Sequence, residues 1–476
     1  MTNGTSDFNT ELHQVEYFRS LSTIRERSAK VYNLISYGNS KHFSLSEEKL
    51  DTIVANIISL IKRDYGTHNN VPAHGRWRSF EIFENGSKRD LFNEHVEAWK
   101  KSGIDNNECT RRAIDLFVIS VLLDAGAGSQ WSYQDEKTNS IYKRTEGLGI
   151  ASLRMFEAGI FSSNKQNPYQ VDAIGLLSFT DEDLIKGFQV SEKNILIGAE
   201  NRAALIKRLG KVLKNDNLYF KSESSNSISN RPGNMLDYLV DNSISNTIDI
   251  ELLWDVIING FLHVWPESRT SINNSPLGDT WVCDILKTKK LYTKPPSYGR
   301  ISSEGDESSN DSINKTNNVQ DINYEALVPF HKLSMWLTWS LVEALQRIGN
   351  LKIEKLNLLT GLPEYRNGGL FVDMGVLHLN NSYIQENAST INWNEDGTPL
   401  FEVDSQLVIE WRALTIVLLD KLHEKVIKVL QLDKNEFPLN KLLEAGSWKA
   451  GREIAAKLRP STGNPPIGII SDGTIF

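Results

Sequence analysis

The residues able to do chemistry fall in short stretches where glycine, acids, arginine and aromatic side chains occur together. The richest is Thr360-Gly-Leu-Pro-Glu-Tyr-Arg-Asn-Gly-Gly369, with Asp373 shortly after. Glu364, Tyr365, Arg366 and Asn367 lie between a proline and a glycine pair, so four hydrogen-bonding side chains share a loop of restricted shape. Asp373 sits between apolar neighbours, and a half-buried carboxylate needs a partner. The plainer alternative is a hairpin turning at Asn367-Gly368 with an exposed ion pair. A second stretch runs from Leu122 to Phe161 and holds Asp124-Ala-Gly-Ala-Gly128, Trp131, Arg144 and Glu146. An apolar helix that ends in Asp124 and two glycines delivers a carboxylate to a tight turn where the backbone can approach a ligand. Capping that turn is the structural alternative for Asp124.

Three further stretches carry weaker signals. In His74-Gly-Arg-Trp-Arg-Ser-Phe80, Arg76 and Arg78 flank Trp77, a pattern suited to forked hydrogen bonds with an anionic or polyhydroxyl ligand and equally to a surface ion pair. Gly278-Asp279-Thr-Trp281 follows Trp265-Pro-Glu-Ser-Arg269, and Leu327-Val-Pro-Phe-His-Lys332 opens an apolar helical pattern. His331 is a candidate acid/base or metal ligand, although a lone histidine is more often buried against a backbone carbonyl. Glu410-Trp-Arg412 and the Pro/Gly-rich segment from Arg459 rank below these.

Familiar signatures are missing. There is no G-x-x-x-x-G-K-[ST], and the Asp124–Gly128 turn lacks the third glycine of a dinucleotide fingerprint. H-E-x-x-H, G-x-S-x-G and paired C-x-x-C motifs are also absent. ATP, NAD and a structural zinc are therefore unsupported, and no cofactor is expected. A divalent metal stays open; a mixed N/O site would draw on His331, Glu364 and Asp373, without the fixed ligand spacing of a known metal motif.

Helices must position these residues. Ile53, Ile57, Leu60 and Ile61, and again Leu333, Trp336, Leu337, Leu341, Leu345 and Ile348, recur at helical spacing. Thr180-Asp-Glu-Asp183 reads as a helix cap, and Asn201 to Leu213 as an amphipathic helix. Strand-like alternation is sparse; Leu370 to Leu379, which includes Asp373, is the best candidate for a strand or hairpin. The expected fold is mainly α, one large helical body with at most a small hairpin or sheet. Residues 1–25 are expected as a polar N-terminal tail and 26–476 as a single catalytic unit, with low-complexity insertions at 221–230 and 300–321. Ile467, Ile469, Ile470, Ile475 and Phe476 favour a C-terminal segment tucked back into the body.

Composition narrows the function classes. The 476-residue chain has 52 Lys+Arg against 60 Asp+Glu, a net charge of -8. That balance gives no reason to approach nucleic acid or an anionic membrane, so neither is an expected partner. Two cysteines cannot form a disulfide framework, and the polar start carries no leader pattern, which points to the cytosol. The longest apolar runs fall short of the about 20 residues needed to span a bilayer. Of the eleven tryptophans, Trp254, Trp336 and Trp339 sit in apolar helical patterns and are expected in the core. Trp77, Trp131, Trp281 and Trp411 lie beside charged or glycine residues and are expected to wall a polar pocket.

Together the stretches resemble the uracil-catabolism family of fungi and bacteria, which serves the ribosylurea pathway and was long described as a domain of unknown function. The resemblance rests on Leu122–Gly128, Glu146–Leu148, Arg231–Asn234, Leu327–Ser334, Gly361–Gly369, Glu410–Thr415 and Ser471–Phe476, and covers the chain from about Glu26 onward. It implies a cytosolic enzyme of pyrimidine degradation that hydrolyses the N-ribosidic bond of ribosylurea or its 5′-phosphate to urea and ribose or ribose phosphate. The different-class alternative is a non-catalytic scaffold or regulator of that pathway. An oxocarbenium-like transition state wants a carboxylate at the anomeric carbon, a group to activate water and a donor for the leaving nitrogen. On this reading Asp373 or Asp124 activates water, Glu364 or Glu146 bonds the ribose or assists the leaving group, and Arg366 with Asn367 orients urea or a phosphate. Tyr365 and Trp131 cover the sugar, and His331, Arg144 and Arg76 complete the expected binding set.

Overall fold

Helices whose apolar residues face every direction must lie at the centre of a fold, and three do. Asn106–Leu122, Lys332–Arg347 and Gln406–Leu430 are buried along most of their lengths. Lys332–Arg347 packs on Asn106–Leu122, and Gln406–Leu430 packs on Leu21–Ser36 and Leu50–Tyr65. Leu50–Tyr65 buries Ile53, Ile57, Leu60 and Ile61 on one face, as the spacing predicts. One continuous apolar core runs from Leu21 to Ile467, so the chain forms a single, mainly helical body. Thr180 caps Asp181–Gly187 with a full capping box, and Asn201–Leu213 falls within the helix Ala199–Asn215.

The computed structural model describes residues 11–470 apart from Asn85, Ser129, Asn217, 222–229, 266–269 and 288–322. The insertion expected at 300–321, most of that at 221–230, the Pro266–Arg269 stretch and the terminal Ser471–Phe476 lie outside the described residues. The expected boundary at residue 25 differs from the structure. Glu11–Arg19 and Leu21–Ser36 are helices, and Val15, Phe18, Leu21 and Ile24 are buried. Apolar residues recur every three or four positions there, which is enough to dock an otherwise polar segment.

Among the described residues no sheet exceeds three strands. The three-stranded one joins Asn392–Trp393, Pro399–Glu402 and Gly468–Ile470, the last parallel to the second with Leu400 opposite Gly468. This pairing and the burial of Ile467 tuck the C-terminal segment into the body. The segment expected as a strand divides differently: Tyr365–Asp373 is a helix, and only Leu377–Leu379 is a strand, paired with Phe43–Leu45. The helix starts because the Glu364 carboxylate accepts hydrogen bonds from the amides of Arg366 and Asn367, at 2.7 and 2.6 Å. No helix among the described residues is long and apolar enough to cross a membrane.

Candidate active site

A cleft of about 610 Å³ opens where these elements meet. That volume lies within the range that suits a small organic ligand. Four of the stretches read from the sequence contribute to its lining, through Arg78, Asp124, Arg144, Glu146, Lys332, Glu364, Tyr365 and Arg366.

Asp124 lies just past the end of Asn106–Leu122, its amide bonded to the Val121 carbonyl. Arg76, fully buried behind the cleft, donates to Asp124 Oδ2 at 2.7 Å and to the Ser120 hydroxyl at 2.6 Å. Arg202 fixes the following turn by donating to the carbonyls of Leu123, Ala125 and Gly126, and also to that of Ile197. Burial raises the Asp124 carboxyl above the ordinary carboxylate value, against the pull of Arg76, Lys332 and Arg202. The turn is thus held by buried arginines and needs no ligand to form.

Lys332 lines the cleft together with Asp124 and Glu364, and both carboxylates act on its charge. It occupies the first position of Lys332–Arg347, where the helix dipole disfavours a cation. Burial pushes its ammonium below the ordinary lysine value, with Glu364 and Asp124 opposing. What holds the lysine there is Asp279. Its Oδ2 accepts from the Lys332 amide at 3.0 Å, while Arg412 grips both its oxygens at 2.8 and 2.6 Å. The stretches around Asp279, His331 and Arg412 therefore form one support beneath a residue that faces the cleft. His331 adopts a left-handed φ of 45° at this junction and meets the Phe18 carbonyl at 2.8 Å. It is fully buried and does not line the cleft.

Glu364 lines the cleft while capping its helix, and burial raises its carboxyl, with the two capping amides and then Lys332 opposing. On the facing rim, Arg144 donates to the Thr462 carbonyl at 3.0 Å and Arg366 to that of Gly463 at 2.9 Å. Glu146 pairs with Arg452 at 2.5 Å. The wall beyond is Trp336 and Trp448 with His74, whose ring tilts 4.8 Å from Trp336 and whose Nδ1 meets Glu444 at 2.7 Å.

The structure separates several expected site residues from the cleft. Asp373 stands at the far end of its helix, gripped by Arg459 at 3.0 and 2.5 Å. Arg459 also donates to the Asn464 carbonyl at 2.5 Å, so the pair anchors the 459–466 loop whose carbonyls hold Arg144 and Arg366. Asn367 is fully buried and bonded to the Leu362 carbonyl at 3.1 Å. Trp131 is fully buried and donates to the Phe188 carbonyl at 2.9 Å. Trp77 and Trp411 are core residues too, and Trp281 bonds Asp279, so none of these four walls the cleft as expected. That role falls to Trp448 and to Trp336, which is buried in the core as expected and also lines the cleft. No group of three His, Cys, Asp or Glu among the described residues is placed to hold a metal, and His331, Glu364 and Asp373 do not form one. Sequence reasoning also missed Lys332. Its signal is a lysine at the wrong electrostatic end of an apolar helix, directly after His331.

A mainly helical body with an acid- and cation-lined cleft defines the class. The chain belongs to the family DUF1688, described as a protein of unknown function, whose model matches residues 17–476. It is 38% identical over 474 residues to Uracil catabolism protein 4 of Lachancea kluyveri, covering 97% of this chain and 99% of that protein. Protein urg3 of Schizosaccharomyces pombe is also 38% identical, over 462 residues, 96% of this chain and 98% of that protein.

Proposed function

We propose that the chain acts in uracil degradation, as the name of the Lachancea kluyveri relative says of that protein. Its reaction on this reading is hydrolysis of the N-ribosidic bond of ribosylurea or its 5′-phosphate. The observation that carries the reading is that Lys332, Asp124 and Glu364 line the same small-molecule cleft, with both carboxylates acting on the lysine's charge. A glycosidic C–N bond breaks through an oxocarbenium-like state that favours a nearby carboxylate and a proton donor for the leaving nitrogen. Asp124 faces the anomeric carbon, stabilises the developing cation and takes a proton from the attacking water. Lys332, its ammonium weakened by burial, gives its proton to the departing urea nitrogen as the C1′–N bond breaks. The water oxygen bonds to C1′; Asp124 then releases the proton it took to solvent, and Lys332 regains one from solvent. Glu364 accepts from ribose hydroxyls, and Tyr365 with Trp336 covers the sugar face.

The test is urea release by the purified full-length protein from ribosylurea and from its 5′-phosphate, with and without divalent metal. Urea at a rate proportional to enzyme is the expected result. Both substrates left intact under all conditions would sink the hydrolase and favour a non-catalytic role in the pathway.

A further inference from the structure

Most charged groups on the cleft lining are already paired: Asp124 with Arg76, Glu146 with Arg452, Glu444 with His74, and Arg78 with Glu343 and Glu81. Among the described residues, Arg144, Lys332, Arg366 and Glu364 remain without an ion pair, three cations against one carboxylate. Two of the cations are neighbours. Burial and the adjacent charge of Arg366 both push the Arg144 guanidinium below its ordinary value. Among the described residues each is held by a single hydrogen bond, to one of two successive carbonyls, Thr462 and Gly463. A guanidinium carries five N–H donors, so both keep donors for something else. Arg144 also stands at a left-handed φ of 54°, a conformation that costs a non-glycine residue stability. Gly463, at φ 60°, passes beside its guanidinium. Two like charges turned onto one rim, neither of them in an ion pair among the described residues, make a cradle for a dianion.

We propose that Arg144 and Arg366 form a phosphate subsite, so that the substrate is the 5′-phosphate ester and not free ribosylurea. The proposal rests on the hydrolase reading for the identity of the sugar, and it deepens that reading by naming the substrate class. A phosphate monoester carries a charge of about -2 near neutral pH, which matches the excess of two cations. Forked N–H donation from two guanidinium groups is the geometry that recognises its oxygens.

The experiment compares kcat/KM for ribosylurea and its 5′-phosphate in the wild type, Arg144→Gln, Arg366→Gln and the double variant, each checked for folding by circular dichroism. In parallel, calorimetry measures binding of ribose 5-phosphate and of ribose. Preference for the phosphate ester by about 100-fold or more is expected in the wild type, falling roughly 10-fold or more in each single variant. Ribose 5-phosphate should bind the wild type and lose affinity in the variants, while ribose should not discriminate among them. Equal kcat/KM on both substrates, or an unchanged ratio in a folded double variant, overturns the subsite and leaves the hydrolase reading standing. If neither substrate turns over, the hydrolase reading falls, and the calorimetric arm alone decides the subsite. Should the double variant not fold, the wild-type ratio and the single variants still decide.

Discussion

Asp373 offers the sharpest test of how the cleft is built, because the sequence reading makes it catalytic and the structure pairs it with Arg459. The carboxylate side chain is 4% exposed and the guanidinium 17%. Breaking a buried pair by removing one partner costs about 3–5 kcal/mol, since the other charge is left buried, whereas an exposed pair is worth less than about 1 kcal/mol. Partial exposure of Arg459 and its remaining bond to Asn464 place this case near the lower figure, about 3 kcal/mol for Asp373→Ala or Arg459→Ala. Burial holds the Asp373 carboxyl above its ordinary value in spite of Arg459, so the charges themselves are not a net source of stability. The double variant should therefore lose less than the two single losses added together, with a coupling energy of about 2 kcal/mol in a denaturant double-mutant cycle. Additivity within about 0.5 kcal/mol would refute the pairing argument. Turnover supplies the second arm. Asp373→Asn and Arg459→Gln release the same 459–466 loop and should impair urea release to a similar degree. Activity of Asp373→Asn lying orders of magnitude below that of Arg459→Gln would return Asp373 to the chemistry.

Three other expectations follow from the same geometry. Lys332→Met should lower kcat by about 100-fold or more without unfolding the chain, as expected for loss of a general acid; unchanged kcat removes Lys332 from the reaction. The pH profile should be narrower than ordinary side chains would give. Asp124 works as a carboxylate above its raised value, which moves the acid limb up, and Lys332 donates below its lowered value, which moves the alkaline limb down. An alkaline limb that persists unchanged in residual Lys332→Met activity would contradict that assignment. Gly451→Ala should destabilise by about 1–3 kcal/mol and weaken turnover, because a Cβ there would overlap the Arg366 carbonyl where Tyr365–Asp373 packs on Trp448–Leu458; a wild-type denaturation midpoint would show that the helices have room.

The mainly helical fold was readable because apolar spacing in Leu50–Tyr65 and Lys332–Arg347 reports burial directly. The helix at Tyr365 was not. A glycine pair followed by Leu-Phe-Val has the local character of a strand. Its helical state depends on an uncommon glutamate cap and on backbone approaches at Gly368 and Gly369 to Trp411 and Pro466 that no local pattern encodes. The tryptophans misled for a related reason. Adjacent positions on a helix point in different directions, so Arg412 can reach Asp279 while Trp411 enters the core. Proximity in sequence to a charged residue carries little information about a shared surface.

A physical pattern unites the acids that the sequence singled out. Asp124, Asp279 and Asp373 each meet an arginine from a remote segment, at Arg76, Arg412 and Arg459. Buried pairs of this kind seldom add stability over apolar residues of equal volume, so geometry is the better account of their presence. Each fixes a different part of the cleft: the Asp124 turn, the start of the Lys332 helix and the 459–466 loop. Asp279 makes the consequence measurable. Arg412 and its other donors hold its carboxyl far below the ordinary range despite burial, so the folded state binds its proton more weakly than the unfolded state does. That contribution is fully present above the unfolded value near 4 and is lost as pH falls toward the folded value. The stability gap between wild type and Asp279→Asn should therefore be constant from about pH 5 to 8 and shrink below about pH 4. A gap that instead widens on acidification would mean that Asp279 is not the charged anchor of the Lys332 helix.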